Sequence, residues 1–167
     1  LPKPGDTWYL DEVFLRINGQ VHYLWRAVDK HGVVLDILVQ DRRDASAAKQ
    51  FFKRLLAGLK YEPRRLITDG RKSCGVAQRE VLPGVLHRSG RYLNNRAKNS
   101  HLPTRRRERQ MQRFKSAEEV QRFLSAHSMI YAHFRPRRHL MTAGECRRAR
   151  TKALRIWQQE ICVQAAP

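Results

Sequence analysis

Two aspartates sit where carboxylates are informative. Asp11 lies in the middle of "TWYLDEVFLRI", a run rich in aromatic and β-branched residues, and Asp69 closes "RRLITDG" just before Gly70. A carboxylate inside a half-buried strand is costly unless something pairs with it. The bland readings are a solvated outward position for Asp11 and a turn residue for Asp69. If the two strands are neighbours, however, the carboxylates converge on one place. Hard oxygen ligands of that kind suit Mg²⁺ or Mn²⁺, and two such ions can activate a water or a 3′-hydroxyl in phosphodiester chemistry. A third acid is then needed, and Glu12, the next residue, falls on the opposite face of the strand. The acids downstream are Glu80, Glu108, Glu118, Glu119, Glu145 and Glu160. None is well placed: Glu118 and Glu119 open a helix, and Glu108 in "RRRERQ" suits its own arginines.

A second stretch, "YLNNRAKNSH" at residues 92–101, carries three asparagines, Arg96, Lys98 and His101, with little to bury. On a helix His101 lies near Lys98, three residues before it, where it either meets a phosphate or caps the turn before Pro103. His127, His133 and His139 share no helical face and read as ordinary histidines.

The elements that must position these groups follow from periodicity. "TWYLDEVFLRI", "VHYLWRAVD" and "VVLDILVQ", joined by the short polar links "NGQ" and "KHG", predict an antiparallel meander. Asp44 is a helix N-cap, after which Ala48, Phe51, Phe52, Leu55 and Leu59 recur at helical spacing. Pro63 precedes a short fourth strand. A short helix is expected near 72–81 and a short strand near 85–88. "SAEE" at 116–119 has the form of a capping box, Ser116 with Glu119, ahead of a stripe from Val120 to Phe134. A last helix is expected over 143–162. The order β-β-β-α-β suits an α/β sheet of the ribonuclease H type, with the fourth strand parallel to and beside the first. Helices would lie on both faces of a mixed five-stranded sheet, followed by a basic helical part. Trp8 and Trp25 lie in strand runs and are expected in the core.

Charge narrows the partner. The chain carries 34 Lys/Arg against 15 Asp/Glu in 167 residues, a net of +19. Residues 1–70 hold 12 cations against 9 acids, and the rest 22 against 6. So lopsided a distribution points to a polyanion, nucleic acid above all. Arg96, Arg105, Arg106, Arg107, Arg109, Arg113 and Lys115 form one group around the stretch, and Arg135, Arg137, Arg138, Arg147, Arg148 and Arg150 a second. Both read as phosphate-tracking surface that binds DNA. No apolar run approaches the roughly 18 residues of a membrane span. Three widely spaced cysteines, Cys74, Cys146 and Cys162, read as free thiols of a reducing compartment.

"WYLDEVFLRINGQVHYLWRAVDKHGVVLDILVQDRRDASAAKQFF", "LITDG", "NNRAKNSH" and "RRRERQMQRFKS" together closely resemble the DDE-type transposases of the insertion-sequence-six family, over about residues 8 to 142. The resemblance implies a ribonuclease H-like catalytic domain that binds two Mg²⁺ or Mn²⁺ ions through an Asp-Asp-Glu triad and cuts and joins DNA at element ends. It implies Asp11 and Asp69 as metal ligands and Lys98 at the position of the glutamate, because the family reads Asn-Asn-Arg-Ala-Glu-Asn-Ser-His there. Cys74 is a second departure, since an aromatic usually follows that serine. A donor-only ammonium cannot bind Mg²⁺, so Lys98 is expected to replace the metal as counter-ion to the aspartates and to impair activity. Glu108 is the candidate substitute. The alternative is a non-catalytic DNA-binding remnant. The family also implies terminal inverted repeats and target DNA as partners, homo-oligomers on DNA, no membrane, and a place in the bacterial cytoplasm or nucleoid. Its helix-turn-helix reading region is expected to precede this chain. The domain expectation is a catalytic domain over 1–135 and a basic helical tail over 136–167.

Overall fold

Asn18 and Gly19 both take positive φ, 50° and 78°, which turns the chain tightly enough to pair β1 (Thr7–Ile17) with β2 (Gln20–Asp29) antiparallel. This is the two-residue hairpin that right-twisted strands favour. At the far end of β2 the Asp29 carboxylate accepts from the backbone N–H of His31 at 2.8 Å and of Val33 at 2.9 Å. That turn sends the chain back as β3 (Val34–Gln40), antiparallel to β2. The computed structural model describes residues 5–90, 92–103, 105–106, 114–134 and 141–162.

Asp44 caps α1 (Ala45–Leu59), accepting from Ala47 N at 2.9 Å. α1 buries Ala47, Ala48, Phe51, Phe52 and Leu55. It crosses over to β4 (Arg65–Thr68), which runs parallel beside β1, and α2 (Lys72–Val81) then leads to β5 (Leu86–Ser89), parallel to β4. The strand order is β3-β2-β1-β4-β5, the mixed five-stranded sheet that the element order predicts.

Strand alternation divides the core. Trp8 and Leu10 of β1 pack with Trp25, Ala27, Phe51, Phe52 and Cys74 on the face of α1 and α2. Leu15 and Ile17 pack with Leu24, Ile37, Phe114, Val120 and Leu124 on the other. The latter face is covered by the start of α4 (Ala117–Phe134), so helices lie on both faces. The capping box is formed: Glu119 N donates to Ser116 Oγ at 3.1 Å and Lys115 N to the Glu119 carboxylate at 3.2 Å. Trp8 and Trp25 are both fully buried and unavailable for stacking on bases. Between β5 and α4 lies α3 (Asn95–Ser100).

The chain divides into two compact units, Leu1–Ser125 and Ala126–Pro167. In the second, α5 (Ala143–Cys162) starts with another capping box, in which Thr142 N donates to the Glu145 carboxylate at 2.7 Å. It packs on the end of α4 through Trp157 against Phe134, ring centroids 5.4 Å apart, and through His133, whose ring meets Ala153 O at 2.9 Å. Among the described residues no helix is long and apolar enough to cross a membrane.

Candidate active site

The site is built where a short strand ends beside a long one. β1 has eleven residues and β4 four, and their pairing stops at Tyr9 with Ile67. Asp69 therefore leaves β4 level with the middle of β1, and Gly70 at φ 98° turns the chain into α2. Asp11 and Asp69 come together, as the strand order requires. Glu12 joins them: one carboxylate oxygen from each of Asp11, Glu12 and Asp69 lies within 4.8 Å of the others. This corrects the expectation that face alternation keeps Glu12 out. Its side chain does start on the α2 face, but β4 no longer covers that edge of β1, so Asp69 is reached from both faces.

Asp11 is 5% exposed and Glu12 8%. Burial, followed by the charge of Asp69, pushes Asp11 up to about 6, against the pull of Lys98, Arg105 and Arg71 in that order. Burial and Asp69 likewise push Glu12 up to about 7, with Arg71 the main opposing charge. Both are the response of anions crowded out of water. Arg71 bridges two of them: its Nε lies 3.1 Å from Asp69 Oδ2 and pairs also with Glu12 Oε1. Cys74 lies beneath, its thiol raised to about 12 by burial and then by Glu12 and Asp69. It is an inert core thiol.

On the opposite face, α3 is held down onto β1. Asn94, fully buried, donates through Nδ2 to Leu10 O at 2.5 Å and to Asp11 Oδ1 at 3.4 Å. Arg26 is the cross-strand partner of Asp11, is 2% exposed, and donates to Ser100 O at the end of α3. Lys98, half-buried on this helix, is the strongest of the positive charges acting on Asp11. The ammonium thus stands toward Asp11 at the position where the resemblance expects an acid.

The expected DNA-contacting residues divide. Arg96 is exposed, lies over the Tyr9 ring at 5.7 Å and donates to Lys30 O. Arg105 and Arg106 are exposed just past α3, and Arg105 acts on both Asp11 and His101. His101 is not on that surface: it is 1% exposed, with Nε2 3.7 Å from Asp11 Oδ2. Burial, then Arg26 and Arg105, hold it neutral, well below the usual histidine range. Lys115 is exposed but sits at the β1–β2 turn, where Asn18 donates to its carbonyl at 2.8 Å, six residues of strand beyond Asp11. Arg107, Arg109, Arg113, Arg137 and Arg138, and the candidate substitute Glu108, lie outside the described residues. Three other acids have structural roles: Glu80 pairs with Lys49 at 2.5 Å, and Glu119 and Glu145 close capping boxes.

Three carboxylate oxygens this close fit a small hard cation. With metal–oxygen distances of about 2.1 Å, octahedral ligand oxygens lie roughly 3 to 4 Å apart, and the three oxygens here, within 4.8 Å of one another, are near that spacing.

Comparison with known proteins shows the family and the fold. Residues 5–137 match the family model of the DDE domain. The transposase for insertion sequence-like element IS431mec of Staphylococcus aureus is 32% identical over 136 residues, 78% of this chain and 59% of the relative. The transposase for IS257 in transposon Tn4003, also of Staphylococcus aureus, has the same values. The chain therefore spans about three fifths of the length of these relatives. An uncharacterized protein of Yersinia pseudotuberculosis, pYV0051, is 40% identical over 73 residues, 42% of this chain and 68% of that protein. Among solved structures, the HTLV-2 integrase catalytic core domain in complex with magnesium (trimeric form) superposes with a TM-score of 0.51 at 12% identity. That match covers 71% of this chain and 81% of the integrase chain. The shared fold is the ribonuclease H-like integrase core.

Proposed function

The chain belongs to the DDE-domain transposase family, and on that premise we propose that it is the catalytic domain for metal-dependent cleavage and strand transfer of DNA, impaired in this copy at Lys98. The observation that supports this reading is the meeting of Asp11 and Asp69 at the end of β4, with α3 pinned over them. A bound Mg²⁺ or Mn²⁺ supplies Lewis-acid activation of a water or 3′-hydroxyl and charge stabilisation at the leaving oxygen.

The chain's own residues set the terms. Asp11 and Asp69 hold the cation. Asn94 and Arg26 fix α3 against β1, which fixes where position 98 points. Lys98 brings an ammonium where an oxygen ligand is needed, a change of two charge units from a glutamate, and neutralises Asp11 in the metal's stead. Neutral His101 faces Asp11 from the α3 side. Arg96, Arg105 and Arg106 track phosphates leading to the site. The substrates are the terminal inverted repeats of the element and target DNA, handled by a homo-oligomer in the bacterial cytoplasm. On this reading the family's catalytic domain is assigned to residues 1–135, with a basic tail after it, while the compact units divide at Ser125.

A second reading, a DNA-binding remnant without catalysis, is favoured by Lys98 alone. Nicking of supercoiled plasmid with Mn²⁺ separates the two. The catalytic reading expects faint or no nicking by the unaltered chain, clear nicking by Lys98→Glu, and none by Lys98→Glu carrying Asp11→Asn or by either in EDTA. Inactive but folded, DNA-binding Lys98→Glu would leave only the remnant.

A further inference from the structure

Glu12 has no part in the triad that the resemblance implies, yet its carboxylate is 3% exposed and converges with those of Asp11 and Asp69. A buried carboxylate at such a place is retained at a cost unless a cation offsets it. Its cation is Arg71, which bridges Glu12 and Asp69 from the N-cap position of α2 and is 39% exposed along its side chain. His101, at the end of α3, stands on the other side of Asp11. It is 1% exposed, and its Nε2 lies 3.7 Å from Asp11 Oδ2. That distance is too long for a hydrogen bond.

From this, and resting on the metal-dependent reading above, we infer that Glu12 is the third carboxylate of a single divalent-cation site with Asp11 and Asp69, and that Arg71 is the internal cation which leaves when the metal enters. The two faces of β1 explain how such a site survives the change at position 98. Lys98 acts on Asp11 from the α3 face, whereas Glu12 approaches from the α2 face, so the trio needs nothing from α3. Arg71 cannot vacate the site by losing a proton; it must swing out, and its exposed side chain has solvent to swing into. One ion is therefore kept on the Glu12 side, and the α3 side of Asp11 stays closed by the ammonium. Retained metal and impaired chemistry then coexist.

Calorimetric titration with Mn²⁺ of the metal-depleted chain, Glu12→Gln, Arg71→Gln, Lys98→Glu and Lys98→Glu/Glu12→Gln tests this, with far-UV circular dichroism of each. The expected result is one Mn²⁺ per unaltered chain, affinity weakened about tenfold or more by Glu12→Gln, as for loss of a ligand or its support, and strengthened by Arg71→Gln. Unchanged affinity in folded Glu12→Gln, while Lys98→Glu binds Mn²⁺ with or without Glu12, overturns the inference and leaves the family reading intact. No binding by the unaltered chain or by Lys98→Glu overturns both. If Glu12→Gln does not fold, Arg71→Gln decides, and affinity that stays the same or falls there refutes the exchange.

Discussion

Replacing Lys98 with glutamate should make the protein less stable without metal and more dependent on metal for its stability. In the present chain Lys98 is the leading positive charge that lowers the Asp11 pKa, against burial and Asp69. The substitution removes that cation and adds a fourth carboxylate to a cluster of three. A charge within about 4–6 Å moves a carboxyl pKa by roughly 1–3 units, at about 1.36 kcal/mol each. Lys98 is half-exposed, so solvent screening reduces the cost to about 1–3 kcal/mol. For a domain of this size that is roughly 5 °C in Tm, at about 2–4 °C per kcal/mol. Mn²⁺ at about 100 times its Kd returns about 2.7 kcal/mol, enough to offset most or all of the loss. The assay is thermal unfolding by circular dichroism in EDTA and in Mn²⁺. A Lys98→Glu protein as stable as the unaltered chain in EDTA, or one that Mn²⁺ does not stabilise, would refute the electrostatic reasoning.

The metal-free chain should lose stability as pH rises from about 4 to above 7. Asp11 is raised from 3.8 to about 6 and Glu12 from 4.5 to about 7, so the folded state keeps protons that the unfolded chain has already released. The contribution is present below the unfolded values and gone above the folded ones, on the order of 3 kcal/mol per group before relaxation. Urea midpoints in EDTA at pH 5 and pH 8 check the sign. Asn94→Ala should destabilise by about 2 kcal/mol, because Leu10 O loses its donor in a buried place. Asn94→Asp should be worse, placing another anion beside Asp11; urea unfolding compares them. Arg105→Ala and Arg106→Ala should each reduce the slope of log K against log salt for duplex binding by about 0.9 for every phosphate no longer neutralised, and an unchanged slope would remove these residues from the DNA surface.

The sheet is readable because its signals are local. "NG" between alternating runs makes the β1–β2 hairpin, Asp44 caps α1, and Ser116 with Glu119 closes the box ahead of α4. Adjacency of Asp11 and Asp69 follows from the crossover rule that lays β4 beside β1. What period-two alternation cannot tell is where a neighbouring strand stops. β4 ends at Thr68, which uncovers the edge of β1 and lets Glu12 share a site with a residue of the opposite face. The burial of His101 is hidden for a related reason: a short polar helix gives no hydrophobic stripe, and α3 is held by side-chain bonds from Asn94 and Arg26 to distant backbone. Arg71 gives no signal either, since its partner Glu12 lies 59 positions away in sequence. The Thr142–Glu145 box at the start of α5 does have a local signature, T-x-x-E, of the same form as the box at Ser116.

The most direct measurement is anomalous diffraction from Mn²⁺-soaked crystals of the unaltered chain and of Lys98→Glu. An ion on the α3 side of Asp11 in Lys98→Glu, and none there in the unaltered chain, is the predicted result. An ion on that side of Asp11 in the unaltered chain, or none there in Lys98→Glu, would contradict the claim that Lys98 stands in the place of a metal ligand.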